Sequence, residues 1–295
     1  MNKDILLKAC QDAGRRALVW TQAAGGEISF KENDQLWIKA AGVRFDEVTR
    51  QNGLACLRLT EFRERTAGLF ASPLSADQNY IRLIEETTEA GAGKPSSAAG
   101  LHAILPEKWV AHYHSLAAIL MAHEFHHDPG AVTNWLAKYW HADAMFIDHE
   151  KTGWPLTARI AEQPQFTAYI IRNNGVVLQS DDEMFEEGGL TDEWAALEKK
   201  FCQHFGYADV LTLCASRSPV TSAIEMLREM PTGPMRSFLP ETTTYMQRLL
   251  NVLEKQNDDE YKLIDDAWEK DRDASEIWVA TQVLYKTEPD LDEIS

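Results

Sequence analysis

The sequence predicts an α/β protein, and three observations carry that prediction. Short runs with strand-like alternation are interleaved with segments of helical spacing from the N-terminus to about residue 190. With 44% hydrophobic residues in 295, the chain has enough apolar material for a large core, as one domain or one domain plus an extension. Beyond about residue 190 the text turns mostly helical and increasingly acidic, so residues 1–190 are expected to form the α/β unit and 191–295 a mostly helical C-terminal extension packed on it.

Residues 3–20 place Ile5, Leu6, Cys10, Ala13, Ala17 and Leu18 at roughly helical spacing, and Gly25-Gly26 ends the pattern. Two alternating runs follow, Ile28 to Lys31 and Gln35 to Lys39, around the turn-forming Glu32-Asn33-Asp34, which reads as a hairpin. A third strand run spans Leu54 to Thr60. A helix started by Pro95 and Ser96 comes next, and then the strand-like WVAHYH. Leu116, Ile119, Leu120 and His123 recur at helical spacing over Ser115 to His127, where Asp128-Pro129-Gly130 stops the helix. Later strands are expected at 144–148 and within 166–178, the latter split by the turn Asn173-Asn174-Gly175. A helix follows Pro240, with Met246, Leu249, Leu250 and Leu253 in register. Trp268 and Trp278 read as packing anchors, and the final TEPDLDEIS as a frayed tail.

Composition narrows the function. A net charge of -17, from 46 acidic against 29 basic residues, argues against a nucleic acid or an anionic membrane as the main partner. No signal-like or membrane-length apolar run is present, so a cytoplasmic location is expected. Cys10, Cys56, Cys202 and Cys214 are widely spaced and read as reduced packing residues.

Four patterns could carry chemistry. In His112-Tyr113-His114, the two-residue strand period turns both imidazoles to one face, where they could grip a divalent metal. A pair alone lacks the third protein ligand such a site needs, and two packing histidines are the plainer reading. His123-Glu124-Phe125-His126-His127 fits the H-E-x-x-H pattern of zinc peptidases, with His141, His149 or Glu150 as a third ligand. A polar helix end where histidines meet the C-terminal dipole is the simpler account. Lys94-Pro95-Ser96-Ser97 before a helix offers hydroxyls and backbone N–H groups to an anion, or merely caps the helix. Gly25-Gly26 lacks the spacing of a dinucleotide or P-loop motif.

Taken in order, GGEISF (25–30), IKAAG (38–42), KPSSAAGLHAILP (94–106), VAHYHSLAAILMA (110–122), GWPL (153–156) and RNNGVV (172–177) resemble the class II aldolase and adducin head family. The resemblance covers about residues 1–190 and is closest to bacterial aldolase-like members with a further C-terminal region. It implies a three-layer α/β/α fold with a central mixed sheet. It also implies a homo-oligomer with active sites at subunit contacts, and a small-molecule substrate.

In that family the His-x-His pair holds zinc, a glutamate after the Pro-Ser-Ser stretch acts as acid/base, and a histidine before the later glycine completes the metal site. His112 and His114 match. Ala98 stands at the glutamate position and cannot move a proton. Asn174 stands at the third histidine position, where a neutral amide oxygen is a poorer zinc ligand than imidazole. Zinc or another divalent metal is therefore expected to bind weakly. Ser96, Ser97, Gly26 and Gly42 match the substrate-anion loops. Glu27 and Ala41 replace an asparagine and a hydroxyl residue there, and a carboxylate beside a phosphate is repulsive.

Three functions follow: a metal-dependent carbon–carbon lyase acting on a small sugar or hydroxy-carbonyl compound, with a degenerate site; an inactive aldolase-fold binding or assembly protein; or a zinc peptidase on the HEFHH segment. For the first, His102 is the nearest spare imidazole in sequence, and Tyr113 or another subunit could donate a proton.

Overall fold

The computed structural model describes residues 2–206, apart from 17–19, 22–23, 71–75, 91–92, 149, 173, 182–183 and 186–187. The helix expected after Pro240, Trp268, Trp278, Cys214 and the acidic tail lie outside the described residues.

Seven strands form one mixed sheet: β1 (Glu27–Glu32), β2 (Gln35–Lys39), β3 (Leu54–Arg58), β4 (Trp109–Tyr113), β5 (Ala144–Ile147), β6 (Ala168–Ile171) and β7 (Gly175–Ser180). Their order is β3-β2-β1-β4-β7-β6-β5, every neighbouring pair antiparallel except β5 with β6. The expected hairpin is β1-β2. Asn33 and Asp34 both take positive φ, 50° and 64°, as a two-residue type I′ turn demands, and Asn and Asp tolerate that region best after glycine.

Alternation along the strands separates two buried faces. Ile28, Phe30, Trp109, Ala111, Tyr113, Val176 and Leu178 pack under α1 (Asn2–Gly14), α5 (Leu116–His127), α6 (Pro129–Tyr139) and α8 (Leu190–His204). On the other face, Leu36, Ile38, Ala55, Leu57, Val110, Tyr169 and Val177 meet α2 (Leu59–Phe70), α3 (Ala76–Thr87), α4 (Ala99–Ile104) and α7 (Trp154–Ala161). The result is the three-layer α/β/α arrangement. Cys10, Cys56 and Cys202 are buried within it as thiols, with no disulfide among the described residues. No helix among the described residues is long and apolar enough to cross a membrane.

Several boundaries differ from expectation. The third strand stops at Arg58, and Leu59 and Thr60 open α2, because Phe62, Thr66 and Leu69 continue with helical spacing onto the second core. Helices α2 and α3 were not expected from the pattern. The helix after Pro95 begins at Ala99; Ser96 Oγ accepts from the Ala98 N–H and closes a turn ahead of it. Asp128-Pro129 does end α5, but Asp128 then caps α6 through the Ala131 N–H, with Pro129 at the first helical position, where its missing N–H costs nothing.

Candidate functional site

Register builds the site. Glu27 lies directly across from His112 in the β1-β4 pair, and Ser29 two residues on shares its face. Helix α4 crosses this face and lowers His102 onto Ser29, Oγ to Nδ1 2.7 Å. Glu27, Ser29, His102 and His112 thus form a polar layer in an otherwise apolar interior, all of them buried.

His112 is held at both nitrogens. Nδ1 lies 3.2 Å from Glu27 Oε2, and Nε2 lies 3.0 Å from the backbone carbonyl oxygen of Asn174. His114, just beyond the strand end, brings its ring to 5.0 Å from that of His112, so the two imidazoles do share a side. What reaches His112 from Asn174 is therefore a main-chain oxygen. Gly175 makes that approach feasible. Its φ is 88°, and a Cβ there would lie 2.1 Å from the Tyr113 carbonyl and 2.8 Å from the His114 Cα.

Tyr113 is corrected as a proton donor. As the odd member of the strand triplet it points to the opposite face, stacked on Trp20 at 4.5 Å, where burial pushes its hydroxyl pKa upward.

The electrostatics favour neutral imidazoles at His102 and His114 beside an ionised Glu27. Burial pushes the pKa of His102, and that of His114, down to about 3. Burial also works against the Glu27 carboxylate, but the hydrogen bond and charge of His112, with the charge of Lys39, hold its carboxyl far below the usual range. Glu27, His102 and His112 each bring one nitrogen or oxygen atom to within 4.8 Å of the others. Two imidazoles and a carboxylate are a donor set suited to zinc and similar divalent ions, and buried His102 Nε2 has no hydrogen-bond partner. The donors present therefore fit the metal that the family pattern implies.

The residues expected from sequence to bind an anion are drawn together by contacts that motif reading missed. Lys39, fully buried, donates to the carbonyls of Ala24 (3.0 Å), Ala40 (3.2 Å) and Val43 (2.7 Å), stapling the loop of Gly26 to that of Gly42. The Ala41 N–H donates to the Lys94 carbonyl at 2.8 Å, which sets the Ser96-Ser97 segment alongside. Tyr80 Oη donates to the Ser97 carbonyl at 2.6 Å. A lysine ending an apolar alternating strand was the available signal for Lys39. Ala98, the N-cap residue of α4, makes no side-chain cap hydrogen bond and carries only a methyl group.

On the HEFHH segment, α5 runs through His127 on the opposite side of the sheet, and the side chains of His123 and His127 lie outside the described residues. Neither the fold nor the comparisons support a zinc peptidase. Glu27-His102-His112 is the one metal-competent group among the described residues.

Residues 5–182 match the family model of the class II aldolase and adducin N-terminal domain. No curated protein matches the chain. Among solved structures, the N-terminal class II aldolase domain of a conserved protein from Thermoplasma acidophilum is 16% identical, covers 68% of this chain and 92% of its own, and superposes with a TM-score of 0.54. YgbL from Klebsiella pneumoniae (15% identical, 70% and 91% covered, TM-score 0.47) and an aldolase II superfamily protein from Pseudomonas syringae (15%, 95% and 95%, 0.46) are more distant in shape. With a family match over more than half its length and the matching three-layer fold, the chain belongs to the class II aldolase and adducin N-terminal domain family.

Proposed function

We propose that this protein makes or breaks a carbon–carbon bond in a small sugar or hydroxy-carbonyl compound, with a divalent metal at His112. The observation that carries the reading is the convergence of Glu27, His102 and His112 within 4.8 Å in a buried layer. A bound divalent ion would supply polarisation of a carbonyl oxygen and stabilisation of the enediolate charge. The loops of Gly26, Gly42, Ser96 and Ser97, stapled by Lys39 and Tyr80, would orient the polar end of the substrate with backbone N–H groups and hydroxyls. His114, neutral and half-buried at the end of β4, would present an imidazole to a substrate hydroxyl.

A second reading, a binding or assembly protein on the same fold, is favoured by one observation: Ala98, where the family's proton-transfer glutamate would stand, offers no titratable group. One experiment separates the two. Protein purified without a histidine tag is assayed for bound metal by elemental analysis, and for aldehyde release from a panel of short hydroxy-carbonyl compounds by a coupled dehydrogenase. The lyase reading expects about one equivalent of metal per chain and release abolished by His112→Ala. Metal-loaded protein that releases aldehyde from no panel member would overturn it in favour of binding or assembly.

A further inference from the structure

We infer that the metal seat of this chain lies on the Nδ1 side of His112, built from His112, Glu27 and His102, and not from the His112, His114 and Asn174 positions of the family pattern. The inference rests on the proposed use of a divalent metal and specifies its ligands.

The argument starts with the hydrogen bonds of His112. Both of its neighbours, the Glu27 carboxylate and the Asn174 carbonyl, are acceptors. In the neutral ring one nitrogen carries a proton. If Nε2–H donates to the Asn174 carbonyl, the Nδ1 lone pair faces a carboxylate lone pair at 3.2 Å, and something electropositive must lie between them, a proton or a cation. Ligating histidines generally donate their second ring N–H to a carbonyl or carboxylate, which is the part the Asn174 oxygen plays. The spacing also suits a metal. Ligands 2.0–2.1 Å from a tetrahedral ion lie roughly 3.3 Å apart, close to the observed Nδ1 to Oε2 separation.

His102 supplies the next donor. Its Nδ1 meets Ser29 Oγ at 2.7 Å, which fixes the ring, while buried Nε2 lacks a partner. With Nδ1–H donating to Ser29 Oγ, Nε2 is a buried lone pair without a partner, and a cation would satisfy it. Two imidazoles and one carboxylate, with a fourth position for substrate or water, form a recurrent catalytic zinc set. On this account Glu27 and His102 compensate for the histidine that Asn174 replaces, and the carboxylate that disturbs the anion loop becomes a ligand.

Calorimetric titration of the EDTA-treated full-length protein with Zn²⁺ tests the assignment. Glu27→Gln and His102→Ala should each weaken binding at least tenfold, whereas His114→Ala should change it less than threefold. On the unmutated protein, nitrogen NMR of labelled imidazoles should show Zn²⁺ shifting His112 Nδ1 and a His102 nitrogen while leaving His114 in place. This readout does not depend on any variant folding. Binding lost in His114→Ala but kept in the other two variants, or NMR shifts confined to His114 and His112 Nε2, would overturn the relocated seat and leave the metal reading standing. No Zn²⁺ binding at all would overturn both and leave the His112-Glu27 contact as a plain hydrogen bond. Metal bound at the assigned atoms without aldehyde release would leave the seat in place and remove the lyase reading.

Discussion

The indole Nε1 of Trp20 donates to Oε2 of Glu198 at 2.5 Å, tying the segment ahead of β1 to helix α8 across 178 positions of sequence. Trp194 Nε1 donates to the other oxygen at 2.7 Å, and Ser115, the cap of α5, donates to it as well. Trp20 in turn stacks on Tyr113, so this buried carboxylate braces the back of the strand that carries His112.

Burial raises the Glu198 pKa from 4.5 to about 7, against the pull of its three donors. Its folded pKa lies above the unfolded one, so the associated stability is full below about pH 4.5 and is lost as pH rises through about 7. The shift corresponds to roughly 3 kcal/mol. Chemical denaturation from pH 5 to 8 should show this fall in the unmutated protein and a much flatter profile in Glu198→Gln. Identical slopes would show that Glu198 is not the group responsible.

Gly175→Ala places a methyl group against the Tyr113 carbonyl, the Ser115 nitrogen and the His114 Cα, and does so at positive φ. Strain and clash together should cost at least about 2 kcal/mol of stability by urea denaturation. Because the turn also sets the Asn174 carbonyl on His112, metal affinity should fall with it. An unchanged denaturation midpoint would contradict this close approach.

Lys39→Met removes an ammonium that satisfies three loop carbonyls, leaving them without a donor. The expected loss is about 2–4 kcal/mol, given what charged hydrogen bonds contribute and what unpaired buried groups cost. Hydrogen exchange should quicken in residues 24–26 and 40–43 more than in β6 and β7. Uniform quickening would mean that Lys39 supports the core generally and does not staple the two loops.

Tyr80→Phe deletes the hydroxyl that joins the Ser97 carbonyl to Thr157 Oγ1 at 2.8 Å. Stability should fall by about 1–2 kcal/mol. Binding of any anionic substrate at Ser96 and Ser97 should weaken with no change in Zn²⁺ affinity. A parallel loss of Zn²⁺ affinity would show that the loop and the metal layer are not independent.

The alternating runs of β1, β2 and β4 to β7, the positive-φ turn at Asn33-Asp34, the helix over Leu116–His127 and the shared side of His112 and His114 were legible from sequence. Each depends on local periodicity or on one turn's steric demand, and neighbours in the chain carry that information. The amphipathic helices α2 and α3 were missed although Tyr80, Leu83, Ile84 and Thr87 of α3 recur at helical spacing. What only the tertiary structure decided was the set of partners. Strand register put Glu27 opposite His112, the crossing of α4 put His102 on Ser29, and the fold of the loops put three carbonyls around Lys39. Glu27 read in sequence as a flaw in an anion loop, and His102 only as the nearest spare imidazole. Residues 10 and 85 positions from His112 share one buried layer with it because hydrogen-bond register and helix docking act through space, and sequence separation carries no trace of either.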